Sequence, residues 1–454
     1  MTFSLELRGQ RVAVVGLGRS GLGVVRFLRE EGAEVVANDH RTEPALRAQL
    51  EAFGAEPVLG GHPRTAFEGV DFVVVSPGVP PLAVLDEIEA EGTPVVSEVE
   101  LASRFVSGTI VGITGTNGKS TVTSLIGAMA KESGRPTFVG GNLGTPFIEV
   151  VRSDASGPDG FVVVELSSFQ LERVDRFRPT VAVLLNISAD HLDRYPNFAA
   201  YAAAKGRIFH RQERADHAVV PADDELCRSL ARAGAAKVYR FGGTSGRVRV
   251  MDGAIRNGAS GFSFPVSELG LSGAHNIENA CAAALAGQLG GIETTAIDSA
   301  LRSFTGLPHR MERVGEVEGV RYYNDSKATN VGAALAALRG VPGEGVVWIA
   351  GGVDKGGSYA PLREELERRG RGVVLLGEAA ELIEEALDGV APIRHAGSME
   401  EAVAVARSLA LAGDAALLAP ACSSYDMFRS YAERGDAFRE AVVALRDSSR
   451  EERP

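Results

Sequence analysis

Cysteine is scarce in this chain: Cys227, Cys281 and Cys422 are the three among 454 residues. They are far apart and odd in number, which excludes a disulfide framework and the short spacings of a zinc site and fits a reducing cytoplasm. Long apolar runs are also missing. Stretches such as Val73–Val75 and Val181–Leu185 are far too short to span a bilayer, and Met1–Arg11 lacks the apolar core of a secretory leader. There is no surplus of positive charge. The net charge of -12 argues against nucleic acid or an anionic membrane as the main partner. It leaves anionic small molecules open, because backbone amides and a few cations can hold a phosphate on an acidic protein. No low-complexity tract and no fixed short period occur, so a solenoid is not expected.

The remainder has a globular balance, 45% hydrophobic and 23% charged. A chain of this length exceeds one ordinary core, so about two to four domains are expected. Short β-branched runs alternate with helical patterns throughout, among them Val12–Val15, Phe72–Val75, Thr109–Ile113, Phe161–Val164, Val346–Ala350 and Ala415–Leu418. That alternation predicts βαβ units and mostly parallel sheets. Loop signatures follow strands in each third of the chain, giving an α/β protein with boundaries near residues 106 and 306. Gly242–Phe264 reads as hairpins or an edge insertion, and the polar tail Asp447–Pro454 as frayed.

The clearest chemistry lies in the middle. The strand Thr109–Thr114 leads into Gly115-Thr116-Asn117-Gly118-Lys119-Ser120-Thr121, followed by a helical pattern with Val122, Leu125, Ile126 and Met129 on one face. A glycine loop between strand and helix aims N–H groups at a phosphate. Lys119 would meet the β/γ-phosphates, and Ser120 or Thr121 would hold Mg²⁺. The strict P-loop spacing asks for glycine at 113, where Ile113 stands with the glycine one residue earlier. Glu165 ends a buried run, and Val181–Leu185 leads into Asn186, Asp190, His191 and Asp193. Beside a nucleotide loop such groups become candidate Mg²⁺ or water-orienting ligands. Near the N-terminus, Gly16-Leu17-Gly18-Arg19-Ser20-Gly21 follows a strand, and a second strand ends at Asp39. Taken alone, this is a dinucleotide fingerprint with Asp39 for a ribose.

Together with Gly141-Asn142, Glu165-Leu166-Ser167-Ser168-Phe169-Gln170 and Asp190-His191-Leu192-Asp193-Arg194-Tyr195, the loop resembles the Mur ligases of peptidoglycan synthesis. The resemblance runs on through His275-Asn276 with Asn279, Gly306-Leu307-Pro308-His309-Arg310, Asn324-Asp325-Ser326-Lys327-Ala328-Thr329, and Pro420-Ala421-Cys422-Ser423-Ser424. It covers nearly the whole chain, and the last stretches look like the branch that adds D-glutamate. It implies a Rossmann-like N-terminal domain over 1–106, a P-loop-type ATPase domain over 107–306 and a Rossmann-like C-terminal domain over 307–454. It also implies ATP and two Mg²⁺ ions.

Residue by residue, the resemblance assigns Gly115–Thr121, Asn279, Arg310 and Asp325 to ATP. Ser120, Thr121, Glu165 and His191 go to magnesium, and Lys205 matches the family's carbamylated lysine. It directs the N-terminal fingerprint to UDP instead of a dinucleotide. Gly18, Arg19 and Ser20 would cradle the diphosphate, Asp39 and Arg41 would lie near the uridine, and Ser76, Asn142 and Gln170 would also touch the UDP substrate. His40 stands where a small hydroxyl residue is expected. Lys355 resembles the cation for an incoming amino-acid carboxylate, with Lys327, Thr329, Ser424, Tyr425 and Tyr431 around it. Without the resemblance, Lys205 reads as an exposed helix lysine and Lys355 as a solvated loop lysine.

The resulting expectation is an ATP-dependent ligase of peptidoglycan precursor synthesis that uses UDP-N-acetylmuramoyl-L-alanine and D-glutamate, with Lys119, His191 and Lys205 as its catalytic groups. No nucleic-acid, membrane or obligate protein partner is expected. The rivals are a related ligase for another amino acid, a folylpolyglutamate-type ligase, a nicotinamide dehydrogenase, and a non-catalytic nucleotide- or UDP-sugar-binding module.

Overall fold

The structure, a computed structural model, describes residues 6–191, 194–271, 273–356 and 358–451. The apolar runs form strands because both of their faces are covered: Val12–Val15, Phe161–Val164 and Val346–Ala350 are fully buried. These strands make three separate sheets.

The first sheet has the order Glu56–Leu59, Glu34–Asp39, Arg11–Val15, Phe72–Val75, Val95–Ser97, with every pairing parallel. Strand order reverses between Arg11–Val15 and Phe72–Val75, so Gly16–Gly18 and Ser76 leave neighbouring strand ends. Ligands of open α/β sheets bind at such switch points. The second sheet has a parallel core ordered Thr137–Gly141, Phe161–Glu165, Thr109–Thr114, Val181–Leu184, His217–Pro221, Lys237–Phe241. Val248–Met251, Ala254–Asn257 and Phe262–Pro265 extend it with antiparallel hairpins, as the alternating glycine-rich segment predicts. The third sheet runs Glu312–Val317, Val320–Asn324, Ala415–Leu418, Val346–Ala350, Gly370–Leu375, Ile393–His395. It is parallel except for the first, hairpin strand.

Contacts group the chain into two compact units. One comprises Met1–Ile187, Ala199–Glu268 and Asn279–Arg302; the other comprises Ser188–Phe198, Leu269–Glu278 and Ser303–Pro454. The first two sheets share a unit, although their strands lie on either side of residue 106. Two acids on the helix Glu98–Ser103 hold them together. Glu98 accepts from the Ile148 amide at 2.6 Å. Glu100 Oε2 accepts from the consecutive amides of Asp175, Arg176 and Phe177 at 2.8, 2.9 and 2.9 Å. The expected fraying of the C-terminal tail is not seen as far as Glu451, because the helix Tyr431–Glu451 carries the backbone bonds through the polar stretch.

Candidate functional site

In the first unit, Gly115 has φ 148° and Gly118 φ 85°, conformations that favour glycine. A Cβ at Gly118 would lie 2.4 Å from Asn279 Oδ1, so the glycine also lets Asn279 close on the loop. The helix Lys119–Glu132 starts at Gly118 without a side-chain cap, leaving its first N–H groups aimed into the loop. Lys119 Nζ donates to the carbonyls of Gly115 at 2.9 Å and Thr116 at 2.8 Å. Ser120 Oγ donates to Glu165 Oε2 at 2.5 Å, and Asn142 Nδ2 donates to Glu165 Oε1 at 2.7 Å. Ser120 and Glu165 are buried, and the exposed Asn142 closes the cluster of loop hydroxyl and strand-end acid from outside.

Lys205 departs from its reading as an exposed lysine: it is 2% exposed. Its Nζ donates to Gly115 O at 2.9 Å and sits 4.7 Å from the centre of the Tyr201 ring. The helix Phe198–Gly206 lays both side chains against the loop, the i, i+4 spacing putting them on one face.

Two residues have loop roles that the sequence did not reveal. Asn186 Oδ1 accepts from the Asn117 amide at 2.9 Å, its Nδ2 donates to Asn117 O at 3.0 Å, and its carbonyl accepts from Thr116 N at 3.0 Å. Asn186 thus braces the loop. Tyr201 OH shares a 3.1 Å hydrogen bond with Thr116 Oγ1. Asn186 directly follows a strand, and that placement was the available signal. Nothing local marks Tyr201.

At the first sheet's switch point, Gly21 cannot be replaced without movement, since a Cβ there would fall 1.9 Å from Gly16 O. Ser76 Oγ donates to Gly16 O at 2.6 Å. Asp39 is buried and accepts from the Leu17 amide at 2.6 Å, the Arg41 amide at 3.0 Å, and Arg41 Nε and Nη2 at 3.1 and 3.0 Å. Burial pushes its pKa up, but the Arg41 and Leu17 hydrogen bonds outweigh that and hold it well below the usual carboxylate range. Asp39 thus braces the glycine turn as well as facing the strand end. Gly18 and Arg19 are exposed and Ser20 is partly buried. Gln170 completes a capping box with Ser167, its Oε1 accepting from the Ser167 amide at 2.9 Å. His40 is largely exposed, with Nδ1 3.3 Å from Asp39 Oδ1.

In the second unit, three adjacent strand ends deliver the remaining residues. Val320–Asn324 leads to Asp325, Lys327 and Thr329, Val346–Ala350 to Lys355, and Ala415–Leu418 to Ser424. Lys355 is not solvated as a lone loop lysine would be. It is partly buried, with Nζ 3.5 Å from Thr329 Oγ1 and 3.8 Å from Asp190 Oδ1. Asp190 also accepts from Asn330 Nδ2 at 3.1 Å and lies 3.8 Å from His191 Nε2. His191 has φ 54°, a strained value for a non-glycine residue. Lys327 Nζ sits 3.8 Å from the centre of the Tyr431 ring. Ser424 is buried, whereas Tyr425 is 76% exposed. Burial pushes Asp325 up to about 7, with the Arg310 guanidinium opposing the rise. Asp193 and Gly357 lie outside the described residues. Among the described residues no helix is long and apolar enough to cross a membrane, and no three His, Cys, Asp or Glu side chains gather as a metal cluster.

Comparison with known proteins follows the same three-part order. Residues 10–97 match the Mur ligase MurD-like N-terminal domain, 113–287 the Mur ligase middle domain, and 309–422 the Mur ligase glutamate ligase domain. The chain is 45% identical over 457 residues to the UDP-N-acetylmuramoylalanine–D-glutamate ligase of Myxococcus xanthus, covering 97% of this chain and 100% of that one. The enzyme of the same name from Geobacter metallireducens is 46% identical over 453 residues, covering 97% and 99%. Among solved structures, a pseudomurein peptide ligase type C from Methanothermus fervidus matches with TM-score 0.63 at 20% identity, covering 96% of this chain and 100% of that one. The MurF ligase from Thermotoga maritima in complex with ADP matches with TM-score 0.60 at 19% identity, covering 99% and 97%. At those identities the structures speak for the fold alone, while the sequence matches run from end to end: the chain belongs to the Mur ligase family.

Proposed function

We propose that the chain joins D-glutamate to UDP-N-acetylmuramoyl-L-alanine, using ATP, in peptidoglycan precursor synthesis. ATP phosphorylates the terminal carboxylate of the UDP substrate, the amine of D-glutamate attacks the acyl phosphate, and phosphate leaves. The observation that carries this reading is the buttressed loop 115–121, with Ser120 on Glu165 and Lys205 on Gly115. The identity of both substrates follows the names of relatives aligned over nearly the whole chain. The family membership sets the dehydrogenase reading aside.

Loop amides and Lys119 hold the triphosphate and stabilise charge that grows during phosphoryl transfer. Asn279, Arg310 and Asp325 are further ATP contacts. Ser120, Thr121 and Glu165 supply hard oxygen donors, which suit Mg²⁺ completed by phosphates and water, and His191 is kept for a second ion. Bound there, magnesium would neutralise phosphate charge. A carbamate on Lys205 keeps one hydrogen on Nζ, so the bond to Gly115 O is compatible with the modification. Gly18, Arg19, Ser20, Asp39, Arg41, Ser76, Asn142 and Gln170 serve the UDP substrate. Lys355, Thr329, Lys327, Ser424, Tyr425 and Tyr431 serve the amino acid. The domain boundaries near 106 and 306 and a cytoplasmic location belong to the same reading.

The test is phosphate release from ATP with the UDP substrate across a panel of amino acids. Release that depends on D-glutamate is expected. Release with L-alanine or a diamino acid but not D-glutamate would move the chain to another branch of the family.

A further inference from the structure

Tyr359 is 3% exposed and precedes the short helix Ala360–Leu362. Its hydroxyl donates to Asp354 Oδ1 at 2.6 Å and lies 3.1 Å from Cys422 Sγ. A phenol has one proton. With that proton on Asp354, the Cys422 thiol is left to donate to the phenol oxygen. Burial pushes both groups up, Cys422 to about 11, so both stay protonated near neutrality. The other carboxylate oxygen, Asp354 Oδ2, accepts from the Gly356 amide at 2.8 Å, closing a turn around Lys355. One residue before Asp354, Val353 and Ser423 exchange backbone bonds in both directions at 3.0 Å. The loop bearing Lys355 is therefore fastened to the segment that bears Ser424 at the Val353–Ser423 pair and, separately, through Tyr359.

We propose that Tyr359 is a positioning residue for the amino-acid pocket, its hydroxyl fixing the Asp354–Gly356 turn so that Lys355 meets the substrate carboxylate. This rests on the reading of Lys355 as the carboxylate's cation. A lysine is a point charge on a flexible four-carbon stem, so where its backbone is held decides where the charge spends its time. Thr329 and Asp190 flank Lys355 Nζ at 3.5 and 3.8 Å, and a loosened turn would lose that register. Tyr359 touches neither Lys355 Nζ nor Ser424 by any hydrogen bond in the structure, so its effect passes through Asp354.

Tyr359→Phe removes one oxygen and keeps the ring. The expected result is a rise of about three- to tenfold in KM for D-glutamate, the size of one hydrogen bond to a charged group. KM for ATP and for the UDP substrate should stay unchanged, as should kcat at saturation. In a Lys355→Ala background the same change should raise KM no further, because the two act on one interaction. Equal increments in both backgrounds, or a rise in all three KM values, would overturn the proposal and leave Tyr359 a packing residue. If Lys355→Ala itself leaves KM for D-glutamate unchanged, the pocket reading fails first. If Lys355→Ala raises it and Tyr359→Phe does not, only the role of Tyr359 fails. Should Tyr359→Phe not fold, Asp354→Ala releases the same turn, with the same selective rise expected and the same unselective rise counting against it.

Discussion

Lys205 Nζ donates to the carbonyl of Gly115 at 2.9 Å, so a fully buried side chain on the helix Phe198–Gly206 is tied to the first residue of the nucleotide loop. A buried ammonium at the nucleotide loop has an electrostatic use, and a carbamate there has a different one. Lys205→Arg separates them, since it keeps positive charge and cannot carry a carbamate. The variant is expected to be nearly inactive, and labelled bicarbonate should give a carbamate carbon signal in the wild type alone. Full activity of Lys205→Arg would reduce the residue to a loop strut.

Lys119→Ala should cut turnover by about a hundredfold or more, on the order of 3 kcal/mol for one preorganised charge partner. Affinity for the UDP substrate should hold, because Lys119 bonds to its own loop carbonyls, next to a different sheet from the one that carries Asp39 and Ser76. Rapid-quench turnover and a separate binding measurement distinguish the two effects. Near-normal kcat would sink the loop assignment.

Asp39→Ala removes the acceptor for the Leu17 amide and for Arg41. The UDP substrate should bind about ten- to a hundredfold more weakly, since charge-assisted hydrogen bonds are at stake and the glycine turn loses its brace. Dissociation constants for ATP and D-glutamate should stay within about twofold, far below the 1.4 kcal/mol of a tenfold change. An unchanged UDP-substrate affinity would mean that the fingerprint serves another ligand.

Glu98 offers a pH test of stability. Burial pushes its carboxyl up from 4.5 to about 7, against the stabilising Ile148 and Phe147 amides, and its Oε2 is buried without a hydrogen-bond partner. A raised folded-state pKa means that the stabilisation is fully present below 4.5 and is lost as pH rises through about 7. Glu98→Gln cannot ionise and keeps an acceptor for Ile148. Thermal unfolding should therefore show the variant gaining on the wild type from pH 5 to pH 8, by at most about 3 kcal/mol. A constant difference across that range would show that Glu98 does not titrate there.

Several things were fixed locally along the chain. The strand runs, the glycine turns after Val15 and Thr114, and the Gly118-Lys119-Ser120 start of a helix are legible because each depends on a few consecutive residues and their backbone preferences. The family motifs followed from the same local strings. Tertiary structure alone decided which residues from distant segments meet. Asn186 braces Asn117 across a strand end, Tyr201 and Lys205 lean on the loop from a later helix, and Tyr359 reaches Cys422. It also gave Gln170 a cap to complete, left Tyr425 in solvent and buried Lys205. The physical reason is that periodicity reports which face of an element is apolar, whereas a polar side chain's burial and partner depend on what folds over it from elsewhere in the chain. For the same reason nothing local marks the acids Glu98 and Glu100, which are sunk in the seam that joins the first two sheets.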